Sequence, residues 1–145
     1  MNWKKLCRRL LWTIAIVMLT ATLVAGGLWW YLHPPITRTN AVPYGQRHGK
    51  SLALDVMHPA RPNGAAVLLL VSGGWKSREP GTFGVWMAAP LLRRGYTVFP
   101  VYHISQPEAT VMEIIEDMHR AVRFVRHHAA VYGVDPLRIG VTGGS

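Results

Sequence analysis

The 145-residue chain is half hydrophobic and carries 16 lysines and arginines against 7 carboxylates, with one cysteine. It is apolar enough to bury a core, which excludes a disordered chain, and the lone Cys7 excludes a disulfide framework or a cysteine-rich metal site. Four basic residues crowd positions 4–9 and the others are dispersed, so no basic stripe indicates a nucleic-acid partner.

Residues 10–32 contain no charged side chain, and a helix of this length crosses a hydrocarbon core. Basic residues precede the run and Trp29-Trp30-Tyr31 close it, which predicts a single-pass anchor with residues 1–9 cytoplasmic and the remainder on the extracytoplasmic side. The alternative is a signal peptide cleaved near Ala25-Gly26-Gly27, which would release a secreted domain. Because hydrophobicity continues to Leu32, the sequence favours the uncleaved anchor.

His33-Pro34-Pro35 ends the predicted membrane helix, since proline lacks the amide donor that a helix requires. We interpret residues 33–43 as a linker without regular structure. A globular domain is then predicted over residues 44–145.

Two strand patterns open the globular domain. Leu52, Leu54 and Val56 alternate with small or polar residues, which predicts a half-buried strand in a hairpin. Residues 65–71 form a continuous apolar run, typical of a central parallel strand. Ser72-Gly73-Gly74-Trp75 follows, where backbone amides can face developing negative charge; a plain strand-to-helix turn is the alternative.

Helices and strands alternate in the rest of the domain. Helical spacing over residues 86–94 ends at a capping Gly95, and a β-rich run covers residues 96–102. An amphipathic helix is predicted over residues 110–131, with Glu116 and Arg120 as an i, i+4 pair on its solvent face. A last strand leads into Gly143-Gly144-Ser145. The order predicts an α/β fold with a mostly parallel central sheet flanked by helices.

Strand endings carry the candidate chemistry. A strand that ends in Gly-x-Ser is typical of a nucleophile elbow, and the glycines after residue 71 lie at the carboxyl end of an earlier strand. Ligands bind at this edge of a parallel sheet. A serine facing backbone donors provides the parts for acyl transfer. No set of His, Asp and Glu has metal-ligand spacing, so neither a metal nor another cofactor is predicted.

Several segments together resemble one family. They are Leu54-Asp55-Val56, Val71-Ser72-Gly73-Gly74-Trp75, Ala121-Val122-Arg123-Phe124-Val125-Arg126, and the run from Gly133-Val134-Asp135-Pro136 to Gly143-Gly144-Ser145. The chain resembles the N-terminal half of an α/β-hydrolase of the esterase/lipase kind, close to hormone-sensitive-lipase-like and feruloyl-esterase-like carboxylesterases, truncated at the nucleophile elbow.

The resemblance implies a carboxylic ester hydrolase that acts on a small-molecule ester. Ser145 is then the nucleophile, which forms an acyl-enzyme, and Gly73 and Gly74 together with Ser72 contribute oxyanion amides. Gly143, Gly144 and Trp75 lie near the site as structural residues.

The chain departs from this family pattern at two places. Relatives commonly have His-Gly-Gly-Gly where this chain has Val71-Ser72-Gly73-Gly74, and many have Tyr-Arg at Tyr102-His103, the arginine pairing with an aspartate near Asp117. The corresponding pair here would be His103 and Asp117.

The catalytic base is not expected among the histidines present. The family order of the triad is Ser, then Asp or Glu, then His, whereas every histidine precedes Ser145. The triad Asp and His are therefore expected beyond residue 145, and these residues alone are expected to be inactive.

Two other interpretations stand beside this one. Val141-Thr142-Gly143-Gly144-Ser145 also resembles the glycine-rich opening of short-chain dehydrogenases, although that motif belongs on the first strand of its fold. A membrane-anchored pseudoenzyme would use the fold without the triad. The sequence leaves open the oligomeric state and the acyl and alcohol groups of a substrate.

Overall fold

The computed structural model describes residues 3–144, which divide into two compact units at His33 and Pro34. The first unit is helix α1 (Trp3–Leu32). The elements of the second unit are β1 (Ile36–Arg47), β2 (Lys50–Pro59), β3 (Ala66–Gly73), β4 (Lys76–Ser77), α2 (Val85–Arg93), β5 (Thr97–Val101), α3 (Val111–His127) and β6 (Ile139–Gly144).

Helix α1 is the one described helix that is long and apolar enough to cross a membrane. Its apolar part, Cys7–Leu32, includes an 18-residue window with a mean hydropathy of 2.0, and none of this window is buried within the protein. A membrane span and a signal sequence both fit this length and composition.

The second unit is built on a mixed sheet in the order β1-β2-β5-β3, with β6 on the other side of β3. β5, β3 and β6 run parallel, whereas β1, β2 and β5 pair antiparallel. The sheet of the described residues is therefore mixed, and its parallel pairing is confined to β5, β3 and β6. The β1-β2 hairpin pairs with the parallel strands through β2, which runs antiparallel to both β1 and β5.

Residues 36–43 do not form a linker, because β1 begins at Ile36, which pairs with Pro59 of β2. The linker is confined to residues 33–35, and the compact unit begins at Pro34 rather than at residue 44. β1 is an edge strand with register shifts between Thr39 and Val42 and between Pro43 and Gly45. An irregular edge strand needs no apolar alternation, so its sequence does not show the strand pattern.

The two helices of this unit cover opposite faces of the sheet. α3 packs on the core that includes Phe99, and α2 packs on the core that includes Val98. Successive strand residues point to opposite faces, so these neighbours divide the core into two layers. The predicted cap is confirmed: the Gly95 amide donates to the Leu92 carbonyl at 3.0 Å with φ +84°.

Candidate functional site

The carboxyl ends of β3 and β6 lie side by side. Gly143 is paired with Leu70 and Gly144 with Val71. The connection through α2 leads from β3 to β5 on one side, and the connection through α3 leads to β6 on the other side. This reversal around β3 is the position at which open α/β sheets form a ligand-binding crevice.

The glycine segment after β3 forms a tight hairpin rather than a plain strand-to-helix turn. Gly74 and Trp75 have φ values of +58° and +62°, and Lys76 returns to pair with Gly73. Positive φ at both central residues is the signature of a type I′ turn. For Trp75 this conformation costs about 1–3 kcal/mol, a strain that is common at functional sites.

Open space surrounds the glycines of this turn. A Cβ added at Gly73 or Gly74 would meet no atom within 4 Å. Within residues 3–144 the amide of Gly74 has no hydrogen-bond acceptor. Of the three oxyanion candidates, Gly73 and Gly74 are exposed and Ser72 is half-buried in β3 opposite Ser77. The turn thus presents backbone to an open surface.

The turn is tethered to the loop between β5 and α3. The Gln106 amide donates to the carbonyl of Trp75 at 3.1 Å, and the Ser77 amide donates to Ser105 Oγ at 3.0 Å. Ser77 Oγ accepts from the His103 amide at 3.2 Å and donates to the Val71 carbonyl at 3.1 Å. These bonds fix the position of the turn relative to the sheet.

Gly143 is required by the close approach of β6 to β3. A Cβ at this position would lie 3.1 Å from the Cβ of Leu70, which is tighter than ordinary van der Waals contact. Gly144 ends β6. Ser145, the predicted nucleophile, lies outside the described residues.

A buried carboxylate, Asp55 of β2, supports this edge of the sheet. Its oxygens accept from Arg38 Nη2 at 2.7 Å, from Tyr102 Oη at 2.8 Å, and from two backbone amides at 3.0 Å. One of these amides belongs to Gly81 in the loop after the glycine turn. Arg38 also donates to the carbonyl of Phe83 at 3.0 Å, so the pair holds the loop at both its centre and its end.

The network keeps Asp55 charged. Burial raises the pKa of this carboxyl, but its hydrogen bonds, the strongest from Arg38, outweigh burial and lower the pKa below the ordinary 3.8. Burial and the bond to Asp55 raise the pKa of Tyr102 to about 12. Its hydroxyl therefore remains a donor at neutral pH. The sequence signal for this network is a single carboxylate within the apolar strand β2, and its partners lie in distant segments.

The expected pair of His103 and Asp117 is not formed. The buried Asp117 accepts from Arg47 Nε at 2.8 Å, from Arg47 Nη2 at 3.0 Å, and from Arg120 Nη1 at 3.0 Å. His103 Nδ1 instead lies 2.8 Å from the Ile104 carbonyl. Arg47 of β1 thus takes the place expected for His103 as the partner of Asp117. Glu116 likewise pairs with Arg47 rather than with the expected Arg120.

A cavity of about 300 Å³ adjoins the glycine turn at the carboxyl end of β5. Its lining includes Ser77, Arg78, Tyr102, His103 and Ser105. Among residues 3–144 no group of three or more His, Cys, Asp and Glu side chains is arranged to hold a metal ion.

The fold and the glycine turn are those of an α/β-hydrolase of the esterase/lipase class. Residues 54–145 match the family model described as BD-FAE. The chain belongs to this family. The dehydrogenase-like interpretation of residues 141–145 is therefore wrong, because these residues lie within the match.

Two curated relatives are similar over most of the chain. Esterase LipQ of Mycobacterium tuberculosis (strain ATCC 25618 / H37Rv) is 31% identical over 114 residues, which are 74% of this chain and 26% of the relative. The probable isoprenylcysteine alpha-carbonyl methylesterase ICMEL1 of Oryza sativa subsp. japonica is 28% identical over 105 residues, 72% of this chain and 24% of the relative. The chain spans about a quarter of the length of these relatives.

Solved esterase structures share the fold. A truncated carbohydrate esterase from gut microbiota aligns with a TM-score of 0.64 and 30% identity, covering 75% of this chain and 39% of that one. Native esterase 2 of Thermogutta terrifontis aligns with a TM-score of 0.62 and 25% identity, covering 80% of this chain and 41% of that one.

Proposed function

We propose that the chain forms the nucleophile-bearing part of a membrane-anchored serine carboxylesterase, with Ser145 as the nucleophile. The observation that carries the proposal is the meeting of two glycine segments, the turn at Gly73-Gly74 and the pair Gly143-Gly144, at one edge of the sheet. The residue that follows this pair is a serine.

The roles follow from acyl-transfer chemistry. Ser145 Oγ attacks the carbonyl carbon of a small-molecule ester, the alcohol leaves, and water hydrolyses the acyl-enzyme. The exposed turn offers the amide of Gly74, with those of Gly73 and Ser72 beside it, to the oxyanion of the tetrahedral intermediate. A single donor of this kind is typically worth about 100-fold or more in kcat.

The location and the limits of the activity belong to the same proposal. The apolar run of α1 anchors the protein in a membrane, with the hydrolase domain on the extracytoplasmic side. All seven histidines precede Ser145, whereas the base of the family's triad follows the nucleophile along the chain. Residues 1–145 by themselves are therefore inactive.

A fluorophosphonate probe tests the nucleophile, because it labels only an activated serine. The complete reading frame that encodes these residues is expressed in membranes and treated with the probe. We expect labelling that is lost in Ser145→Ala and retained in Ser51→Ala, which removes an exposed serine. An unlabelled protein of native fold would instead support a membrane-anchored pseudoenzyme.

A further inference from the structure

The two ends of the parallel strands differ in charge. Six of the seven carboxylates lie at or beside the carboxyl end, in β2, the loops after β4 and β5, and the first two turns of α3. They are Asp55, Glu79, Glu108, Glu113, Glu116 and Asp117. The amino end has only Asp135, whose Oδ1 accepts from the Leu137 amide at 2.8 Å.

Arginines collect at the amino end of the same strands. They occur before β3, at the end of α2, in the last turns of α3 and directly before β6: Arg61, Arg93, Arg94, Arg123, Arg126 and Arg138. We call four of the exposed ones, Arg61, Arg94, Arg126 and Arg138, the basic edge. Their positive charge faces little compensating negative charge.

Contacts show that the basic edge is one continuous surface. Asn63 Nδ2 donates to the Arg94 carbonyl at 2.8 Å, and Arg138 Nη1 donates to the Asn63 carbonyl at 2.9 Å. Arg126 Nε donates to the Pro136 carbonyl at 3.3 Å, two residues before Arg138. The arginines on either side of β3 are thus joined through the residues between them.

An exposed apolar side chain projects from this surface. Leu137, between Pro136 and Arg138, is 91% exposed, the highest exposure among the large hydrophobic residues described. Val131, in the segment after α3, is 77% exposed. Apolar tips surrounded by arginines are typical of surfaces that sit at a lipid headgroup region, whereas single-stranded nucleic acid is bound by exposed aromatic rings.

The chain also enters the domain at this end. Ile36 of β1 pairs with Pro59, and the Ala60 amide donates to the Pro35 carbonyl at 3.3 Å. Only residues 33–35 separate β1 from α1. β1 therefore begins at the same end of the sheet as the basic edge, opposite the glycine turn.

We propose that the basic edge binds anionic phospholipid headgroups of the membrane that α1 enters, with Leu137 at headgroup depth. The eight residues of β3 separate this edge from the glycine turn by about 25 Å. The turn then faces the aqueous phase and receives its ester from solution. The inference uses the membrane anchoring of the proposed function but not its chemistry.

A fluorescent probe at position 137 tests the contact. The full chain, with Cys7→Ser as background and Leu137→Cys carrying a nitrobenzoxadiazole dye, is reconstituted in phosphatidylcholine vesicles with or without about 30 mol% phosphatidylglycerol. We expect roughly twofold higher emission, quenched by nitroxide-labelled lipid, in the anionic vesicles alone. Raising salt to about 0.5 M should reverse the rise.

Matched variants identify the residues responsible. The same dye at Met112→Cys, an exposed site at the carboxyl end, should not respond. Arg94→Gln with Arg126→Gln and Arg138→Gln should abolish the response at position 137. Lys50→Gln with Lys76→Gln and Arg78→Gln removes as many charges from the opposite end and should preserve it. If the arginine variant does not fold, the salt titration of the arginine-bearing chain decides.

Four results would overturn the proposal: an equal rise in neutral vesicles, a rise at Met112→Cys, a response that survives the arginine substitutions in a folded protein, or a response to an oligonucleotide but not to phosphatidylglycerol. Flotation of the protein with vesicles distinguishes failure of this proposal from failure of the membrane anchor. A chain that does not float with neutral vesicles lacks the anchor, while the dye at position 137 still reports on the basic edge.

Discussion

At the scale of single residues, Arg47 is the side chain whose role is least apparent from the sequence. Its side chain is 12% exposed, and its guanidinium donates hydrogen bonds from two nitrogens to the fully buried carboxylate of Asp117. Bonding to this carboxylate raises the pKa of Arg47 further above its already high ordinary value. The contact joins the end of β1 to α3 through residues 70 positions apart in the sequence.

Replacing Arg47 with alanine removes most of the compensation of a buried charge. We expect Arg47→Ala to lower the free energy of unfolding by about 3 kcal/mol, measured by urea denaturation of the full chain in detergent micelles. Lys50→Ala is the matched control, because Lys50 and Glu108 form a pair in which both side chains are more than half exposed. That change should cost less than about 1 kcal/mol. Equal losses would mean that Arg47 is not a buried partner.

Asp55 supports the loop after the glycine turn in a similar way. Asp55→Asn leaves Arg38 beside a neutral group, and we expect a loss of about 3–5 kcal/mol in the same measurement. Glu79→Gln, at an exposed carboxylate, should change stability by less than about 0.5 kcal/mol. A stable Asp55→Asn variant with unchanged hydrogen exchange at Gly81 would contradict the role of this network.

At the scale of elements, α3 begins with a complete capping box. The Glu113 amide donates to Thr110 Oγ1 at 3.3 Å, and the Thr110 amide donates to Glu113 Oε2 at 2.8 Å. We expect Thr110→Ala to cost about 1 kcal/mol. Thermal unfolding followed by circular dichroism would measure it, with Thr142→Ala as a control outside any helix cap.

The same box predicts a pH dependence. The hydrogen bond from the Thr110 amide is the main cause that lowers the pKa of Glu113 from 4.5 to about 2. A carboxylate with a depressed folded-state pKa stabilises the fold above its unfolded value and loses that contribution as pH falls through the folded value. The stability difference between the unaltered chain and Glu113→Ala should therefore be largest above pH 4.5 and shrink toward pH 2. A difference that does not vary over this range would refute the cap.

The elements also show which parts of the fold local sequence determines. Residues 65–71 and 110–131 have strong apolar patterns, and β3 and α3 lie within a few residues of the predicted positions. β1 escaped prediction because an edge strand with bulges needs no alternation, and β4 escaped because a two-residue strand has no periodicity. The partners of Asp55 and Asp117 were likewise not predictable, since they depend on contacts between distant segments.

At the scale of the whole molecule, the features on which the two proposals rest lie in different segments of the chain. The apolar helix precedes the domain, the basic edge lies where the chain enters the sheet, and the glycine segments lie at the opposite edge. This separation follows from strand direction alone, because every parallel strand places its preceding loop at one edge and its following loop at the other. The segments proposed for membrane attachment and for catalysis can thus change independently in sequence.

No histidine of the described domain is expected to replace the triad base, because the base follows the nucleophile along the chain in this family. His127 and His128 end α3 at the amino edge, and His58 lies beside Thr97 at the start of β5. His103 is at the carboxyl edge; its Nδ1 lies 2.8 Å from the Ile104 carbonyl, and its buried Nε2 has no hydrogen-bond partner among residues 3–144. A serine without a base that accepts its proton loses most of its nucleophilic activation, a loss on the order of 10⁴-fold or more in kcat.

We therefore expect residues 1–145 in detergent micelles to hydrolyse p-nitrophenyl acetate no faster than the Ser145→Ala variant does. The assay compares initial rates at equal concentrations of folded protein. Circular dichroism shows whether each variant keeps its helices and sheet. His103→Ala identifies the source of any residual rate. Hydrolysis that disappears in both Ser145→Ala and His103→Ala would show that His103 activates the serine, and the base would then lie at the carboxyl end of β5.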